Sequence, residues 1–477
     1  MCTRSAILTV IFLTWVSLQA AEDNKVQADG GGLVLKLDMG LSVSIAVANS
    51  FELKEIRARE GIYTLAIDEK LRNFFPSLTF SYMQTQEVAK RDTDTRSTKL
   101  SFESEFVLYD AGKRSLDYDS AKLNALLSRN DYRITLNKLV VSVREAYLNL
   151  LKLRETVNIY RITHEQGLLQ LKFITKEFEL GDATKLSVLE IETKVREIEL
   201  SLRQAVDEFN SALDKFRLLL RISRQTPVEI TGELDRDFVI VKADGINEEE
   251  VISIALKMRK ELESASAKHE ISLRNNKMNE YYFLPEVSLG LNYHLSGEDY
   301  PPREKGWGVN LKVSSRIFGN TVSGAAGYAQ NGNGHSKTGS GSSSLDVLND
   351  MPYKRTLIES RIEASRSADE LAVLKETIAA EIASMCSALK NAWNMTDIAK
   401  KQVELYDAQL VIERLKADMG ESRRYDLLEK EIERAKAAVS LLNAKIRYLV
   451  AASSLEISAG MDVDFFRNYI RLKEVKK

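Results

Sequence analysis

Four histidines, His164, His269, His294 and His335, together with Cys386, are the side chains of this sequence best suited to hold a metal or to attack a substrate. Their spacing suits neither task. The histidines are scattered, without the short intervals of a ligand set, and each reads as a surface or packing residue. Cys386 falls on an apolar helical face, where a thiol behaves as a small core residue. No glycine loop precedes a Lys-Ser/Thr pair, and no nucleophile elbow is present. Serines and aspartates are plentiful, but without a paired histidine they form no activated nucleophile. The sequence therefore predicts no catalytic residue, no cofactor and no metal site, and a chain that is not an enzyme.

Other functions are bounded by composition. The 477 residues are 44% hydrophobic and 29% charged, and Lys+Arg (67) nearly balances Asp+Glu (69). A net charge of -2 gives no basic surface for nucleic acid. Six prolines over this length leave room for long unbroken helices. At the N-terminus, Arg4 precedes the apolar run Ala6 to Leu18, and small Ala20 and Ala21 precede Glu22 and Asp23. This is the pattern of a signal peptide over residues 1–21, too short for the ~20 residues that span a bilayer. Cys2 lies inside it and no cysteine directly follows the apolar core, so lipid attachment lacks an acceptor. No later stretch holds 18 consecutive apolar residues. An exported chain of this kind is soluble in the periplasm or enters the outer membrane as β-structure.

The sequence repeats itself at half its length. Asn73 to Tyr82 is echoed by Tyr282 to Leu291, with Pro76 matching Pro285. Glu179 to Thr184 is echoed by Asp418 to Arg423, and Leu189-Glu190 by Leu428-Glu429. The two offsets differ by about the length of a Gly/Ser-rich stretch, Thr321 to Asp350, found only in the second half. Two repeats, 22–245 and 246–477, follow. Each is expected to run through a helical segment (Leu41 to Arg72; Asn247 to Glu280), two short strands, a very long helix (Lys113 to Leu180; Tyr353 to Met419), a glycine turn and a second long helix (Thr184 to Arg221; Arg423 to Ser454). Apolar residues at three- and four-residue steps, from Leu136 to Tyr160 and from Ile378 to Ala392, define the helices. A helix from Lys113 to Leu180 would extend roughly 100 Å and must lie against other rods. Gly181 and Gly420 stand where a left-handed C-cap would reverse the chain.

Four segments alternate with period two. Leu78, Phe80 and Tyr82 alternate with Ser77, Thr79 and Ser81, and Phe102 and Phe106 with Glu103 and Glu105. Val287, Leu289, Leu291 and Tyr293 alternate with Ser288, Gly290 and Asn292, and Trp307, Val309, Leu311 and Val313 with Gly308, Asn310 and Lys312. One apolar and one polar face suit a membrane barrel with a wet lumen. Four strands cannot close a barrel, so several copies would have to pool them.

Taken together, the duplicated order, Pro76 and Pro285 at the first strands, both glycine turns, and the link Leu108-Tyr-Asp-Ala-Gly-Lys-Arg114 resemble the TolC family of outer membrane efflux proteins. The link resembles that family's L-F-D-G-G-R-R segment. The resemblance implies a mostly α chain with a small membrane β part, its duplicated helical hairpins forming an α-barrel tunnel. Four strands per chain would contribute to a twelve-stranded β-barrel in a homotrimer set in outer-membrane lipid. It further implies passive export of drugs, metals, toxins or proteins, in efflux or type I secretion, with a periplasmic adaptor (membrane fusion protein) and an inner-membrane transporter. The family's adaptor-contacting tips fall here on Gly181, Asp182, Ala183, Thr184, Gly420, Glu421, Ser422 and Arg423. Its acidic constriction, six and nine residues after the second tip glycine, falls on Asp426 and Glu429, where three copies would stack two carboxylate rings that attract cations.

Departures from the family pattern fall on the same tips. Ser187 stands where the family often has Asp, and Ser422 where some members carry Arg, with Arg423 and Arg424 nearby. The second-half link Ile317-Phe-Gly-Asn320 keeps only a trace of the first, and the 321–350 insertion reads as flexible, near the periplasmic junction of barrel and tunnel. Gln84 to Ser97 and Leu295 to Gly306 read as outward loops. The alternative function is a soluble periplasmic coiled-coil adaptor or scaffold, although such proteins carry compact β domains and one hairpin where this chain has two.

Overall fold

Capping side chains decide where the helices begin and break. In this computed structural model, which describes residues 34–87, 95–234, 240, 247–419, 421 and 423–460, Asp38 caps α1 (Met39–Asn49) by accepting from the Leu41 amide at 2.6 Å. Ser50 is extended; it ends α1 and caps α2 (Phe51–Arg72) through the Leu53 amide. The helix expected over Leu41 to Arg72 is thus two helices. The second half repeats this break at Arg259, between α5 (Glu248–Met258) and α6 (Lys260–Glu280). The signal peptide expected over residues 1–21 lies outside the described residues.

Four long helices follow the expected periodicity: α3 (Lys113–Glu179), α4 (Lys185–Leu220), α7 (Tyr353–Asp418) and α8 (Arg424–Ser458). They pack as two antiparallel hairpins, with α8 also lying against α3. A slender bundle has no single centre, so its core is divided into belts. One belt joins Val143, Tyr147, Leu150 and Leu151 of α3 to Phe216 and Leu220 of α4. The corresponding belt of the second half joins Ile378, Ile382, Cys386 and Leu389 of α7 to Tyr448 and Leu455 of α8. Cys386 is buried there, as its apolar helical face predicts.

A two-stranded parallel sheet, β1 (Leu35–Leu37) with β4 (Val228–Ile230), straps the first belt. It is fixed from below, where the Tyr147 hydroxyl donates to the Thr231 carbonyl at 2.9 Å and the Arg154 guanidinium to the Ile230 carbonyl at 2.8 Å. Sequence alternation missed this sheet because three residues are too few to show a period.

The main sheet is antiparallel throughout, in the order β2 (Ser77–Glu87), β3 (Thr95–Tyr109), β5 (Glu286–Gly297), β6 (Glu304–Ile317), β7 (Asn320–Asn331), β8 (Ser336–Asp346). It therefore has six strands per chain where the alternation pattern predicts four. The two added strands are the Gly/Ser-rich stretch expected to be flexible. That stretch forms a hairpin running the height of the sheet, and is not confined to the junction with the helices. Its backbone hydrogen bonds need no apolar side chains, and composition alone hid it. Ile317 to Asn320 is likewise no link to a helix. Phe318 (φ 50°) and Gly319 (φ 84°) form the two-residue turn of the β6–β7 hairpin, with both residues left-handed as a type I′ turn requires. The strands also reach further into the expected outward loops, since β2 extends to Glu87 and β5 to Gly297.

Register keeps the sheet's two faces chemically separate. Phe80, Phe102, Tyr293 and Trp307 lie directly opposite one another across four strands on one face. Leu78, Leu289, Leu291, Val309 and Leu311 share that face, and Phe80 remains 76% exposed. The other face presents Thr79, Ser81, Glu103, Asn292, Asn310 and Lys312. Asn310 sits over Gly290, where a Cβ would collide with it.

Sheet and rods meet at Arg114. Its guanidinium donates to Asp110 Oδ2 at 2.7 Å and to the Val107 carbonyl at 2.8 Å, and lies 5.5 Å from the Phe74 ring centroid. Burial would raise the Asp110 pKa, but the Arg114 amide and guanidinium together outweigh it and hold the carboxyl below its usual value. Asp110→Asn should cost about 1.5–3 kcal/mol, the scale of a hydrogen bond to a charged group, measured as thermal unfolding in detergent. Because the folded pKa is depressed, the contribution is present above about pH 4 and is lost as pH falls through the folded value.

Candidate functional site

The helical end remote from the sheet brings together both glycine turns and the acidic residues of α8. Gly181 (φ +86°) closes α3 in a Schellman motif: its amide donates to Phe178 and the Asp182 amide to Glu177, the latter at 2.8 Å. A Cβ there would meet nothing within 4 Å, so the conformation and not the space calls for glycine. Thr184 then caps α4, accepting from the Ser187 amide at 3.2 Å. Ser187, which stands where the resemblance leads one to expect an acid, is thereby engaged in the cap, and its hydroxyl lies 2.9 Å from that of Thr184.

The second tip repeats the first, with the Glu421 amide donating to Lys416 at 2.9 Å. Gly420 and Ser422 lie outside the described residues; Glu421 and Arg423 are exposed.

A small cluster, Ile174, Ile191, Val195, Ile198 and Leu428, joins the two tips, with Ala183 and Tyr425 packed against it. Gly167 lets α3 come close here, since a Cβ would stand 3.2 Å from Val195 and 3.6 Å from Leu428. Across the same junction Arg424 Nε donates to Glu177 Oε1 at 3.0 Å, and the guanidinium carbon lies 5.1 Å from the Phe173 centroid. Arg424, one of the two arginines that follow Ser422, thus bridges the hairpins.

Asp426 and Glu429, three residues apart, share one side of α8. Asp426 is half-buried in the first turn, where the helix dipole favours an acid. Glu429 is exposed, and its charge helps to keep the Lys194 ammonium of α4 protonated, behind the larger effect of Glu197.

Glu431, two residues further, was not singled out by sequence reasoning. It is 6% exposed and paired to Arg414 at 3.2 Å, while Oε2 has no hydrogen-bond partner. Burial pushes its pKa up against the opposing pull of Arg414. Only its reach toward Arg414 on the facing helix could have distinguished it from neighbouring charges, and a single sequence does not show that reach. Among the described residues no group of His, Cys, Asp and Glu could hold a metal ion, and no helix is long and apolar enough to cross a membrane.

Comparison with known proteins agrees with this geometry. Residues 42–220 match the family model of the outer membrane efflux protein. Over that segment the chain is similar to this family. No curated protein matches the sequence. Solved structures extend the likeness over most of the chain. The channel protein CusC superimposes with a TM-score of 0.72 at 15% identity, covering 92% of this chain and 96% of its own. The Campylobacter jejuni outer membrane channel CmeC gives 0.69 at 16%, covering 88% and 85%. VceC, an outer membrane protein of Vibrio cholerae, gives 0.71 at 12%, covering 89% and 96%. At such identities the likeness establishes the fold, the long-helix and strand architecture that the TolC resemblance implied.

Glu431→Gln tests the strain of a buried charge in the second hairpin, α7 with α8. The folded pKa lies above the unfolded one, so the cost is full above the folded value and vanishes as pH falls toward about 4.3. The variant should unfold at a higher temperature than the parent at pH 8, with the difference closing in mild acid, read by circular dichroism.

Proposed function

We propose that the chain is the outer-membrane channel subunit of a tripartite export system, a passive duct through the outer membrane and periplasm. One observation carries this reading: an antiparallel sheet, apolar on one face and polar on the other, stands open at both edges on rods about 100 Å long. Lipid cannot satisfy open edges, so copies must join. The helices are equipped for this too, since Leu168, Leu169, Leu200, Val373, Ile398 and Leu405 are exposed in the single chain. The assembly is a homotrimer on this reading, its two repeats per subunit divided near residue 245.

In the same reading the tips Gly181 to Thr184 and Gly420 to Arg423 meet a periplasmic adaptor, which couples the duct to an inner-membrane transporter. Asp426 and Glu429 of each copy line the inner constriction. The exposure of Glu429 and the first-turn position of Asp426, on one side of α8, support this. Transport energy comes from the partners.

Membrane fractionation separates the duct from the alternative of a soluble adaptor. The duct should require detergent for extraction and give discrete conductance in planar bilayers. Release by osmotic shock as a monomer without conductance would favour the scaffold. Replacing both carboxylates (Asp426→Ala with Glu429→Ala) should raise conductance and weaken block by multivalent cations, and unchanged conductance and block would move the constriction elsewhere.

A further inference from the structure

The β7–β8 hairpin distinguishes this sheet from the four-strand contribution implied by the TolC resemblance, and both its faces are unusual. On the side continuous with the apolar face, β8 presents Gly339, Gly341 and Ser343 between Lys337 and Leu345, and a Cβ at either glycine would meet nothing within 4 Å. The side chains there leave a shallow notch beyond Tyr328 and Ala326 of β7. On the polar side β8 is a row of hydroxyls: Thr338, Ser340, Ser342 and Ser344. The opposite edge of the sheet, β2, has the complementary shape. Its apolar side carries Leu78, Phe80 and Tyr82, all more than half exposed, and its polar side carries Ser77, Thr79 and Ser81.

We infer that β8 pairs antiparallel with β2 of a second copy of this chain, the aromatic side chains of β2 filling the glycine notch of β8. The direction is already correct, because strand sense alternates across six strands and the next strand after β8 must run as β2 does. The lengths agree, at 11 residues each. Bulky residues beside glycines on a neighbouring strand cover the backbone that glycine leaves bare. On the lumen side, hydroxyls would face hydroxyls, a pairing this sheet already uses at Ser81–Ser101 and Ser323–Ser344, both 2.6 Å. Charge opposes nothing at this seam, since the charged residues of the two edges stand at their ends, Glu87 on β2 and Lys337 and Asp346 on β8, and antiparallel pairing brings Glu87 and Lys337 to the same end.

This inference rests on the channel reading and adds the composition of the barrel to it. Three copies of a six-stranded sheet close eighteen strands. Barrel diameter grows nearly in proportion to strand number, so the bore is about half again as wide as twelve strands would enclose. One stretch of its wall is hydroxyl-lined and free of charge. Such a mouth suits bulky polar cargo better than small cations.

Disulfide trapping tests the seam. In a Cys2→Ser background, with Cys386 buried out of reach, Ser81→Cys is combined with Ser340→Cys, Ser342→Cys or Ser344→Cys to cover neighbouring registers. Adjacent strands bring such pairs within disulfide range. Each protein is extracted from membranes and its assembly mass checked before oxidation. For at least one register, the monomer band on denaturing gels should be lost to covalent oligomers. The control pair Ser81→Cys with Lys312→Cys should leave the monomer band unchanged, since β6 is already covered by β7. Trapping through Lys312→Cys and not through β8 would overturn the inference, leaving a twelve-stranded barrel with the hairpin displaced. On the unaltered protein, an electron-microscopic cross-section of the barrel should count eighteen strands, and twelve would overturn it equally. A water-soluble monomer would instead defeat the channel reading beneath it.

Discussion

Backbone amide and carbonyl groups along a sheet edge need partners, and hydrocarbon offers none. The six-stranded sheet has two such edges, β2 and β8, each paired with a neighbour on one side only. Its apolar face cannot be left in water without cost either, since Phe80, Tyr82 and Leu78 together expose a broad apolar patch. Both demands are met by one arrangement: the apolar face against lipid and the edges against other copies. The separation of faces strand by strand follows from this, as does the placing of glycines such as Gly290 beneath the polar Asn310.

The helices extend the same requirement into water. A rod of 67 residues has too little surface against its own chain to be buried on all sides. Its core is accordingly distributed in belts, each pinned by a few long-range bonds such as Tyr147 to Thr231. The remaining apolar positions, including Val373, Ile398 and Leu405, face outward from the single chain. At the tip, Arg424 and Glu177 tie one hairpin to the other, so both turns sit at a common level and a partner would meet them together.

Much of this was legible in the residues, and the reasons differ by element. Long helices announce themselves through many turns of the same period, and α3, α4, α7 and α8 lie close to their expected limits. Four strands were visible because apolar and polar residues alternate in them. The β7–β8 hairpin was not, because Gly, Ala and Ser differ too little in hydropathy for alternation to register, although their register in the sheet is continuous. Gly181 was readable as a left-handed cap from its position between two periodic runs. The Arg424–Glu177 and Arg414–Glu431 pairs were invisible, since each joins residues on different helices and a charge on a helix face looks alike whether it is solvated or paired. The family resemblance supplied Asp426 and Glu429, which no spacing within this single sequence singles out.

Amide hydrogen exchange along β2 in the membrane-extracted assembly tests the central constraint most directly. In an antiparallel edge strand, alternate amides point away from the one neighbour and exchange freely. If copies close the sheet, every second amide from Ser77 to Glu87 that β3 leaves unpaired will be as slow as its partners. Rapid exchange at those alternate positions in the intact assembly would contradict the account.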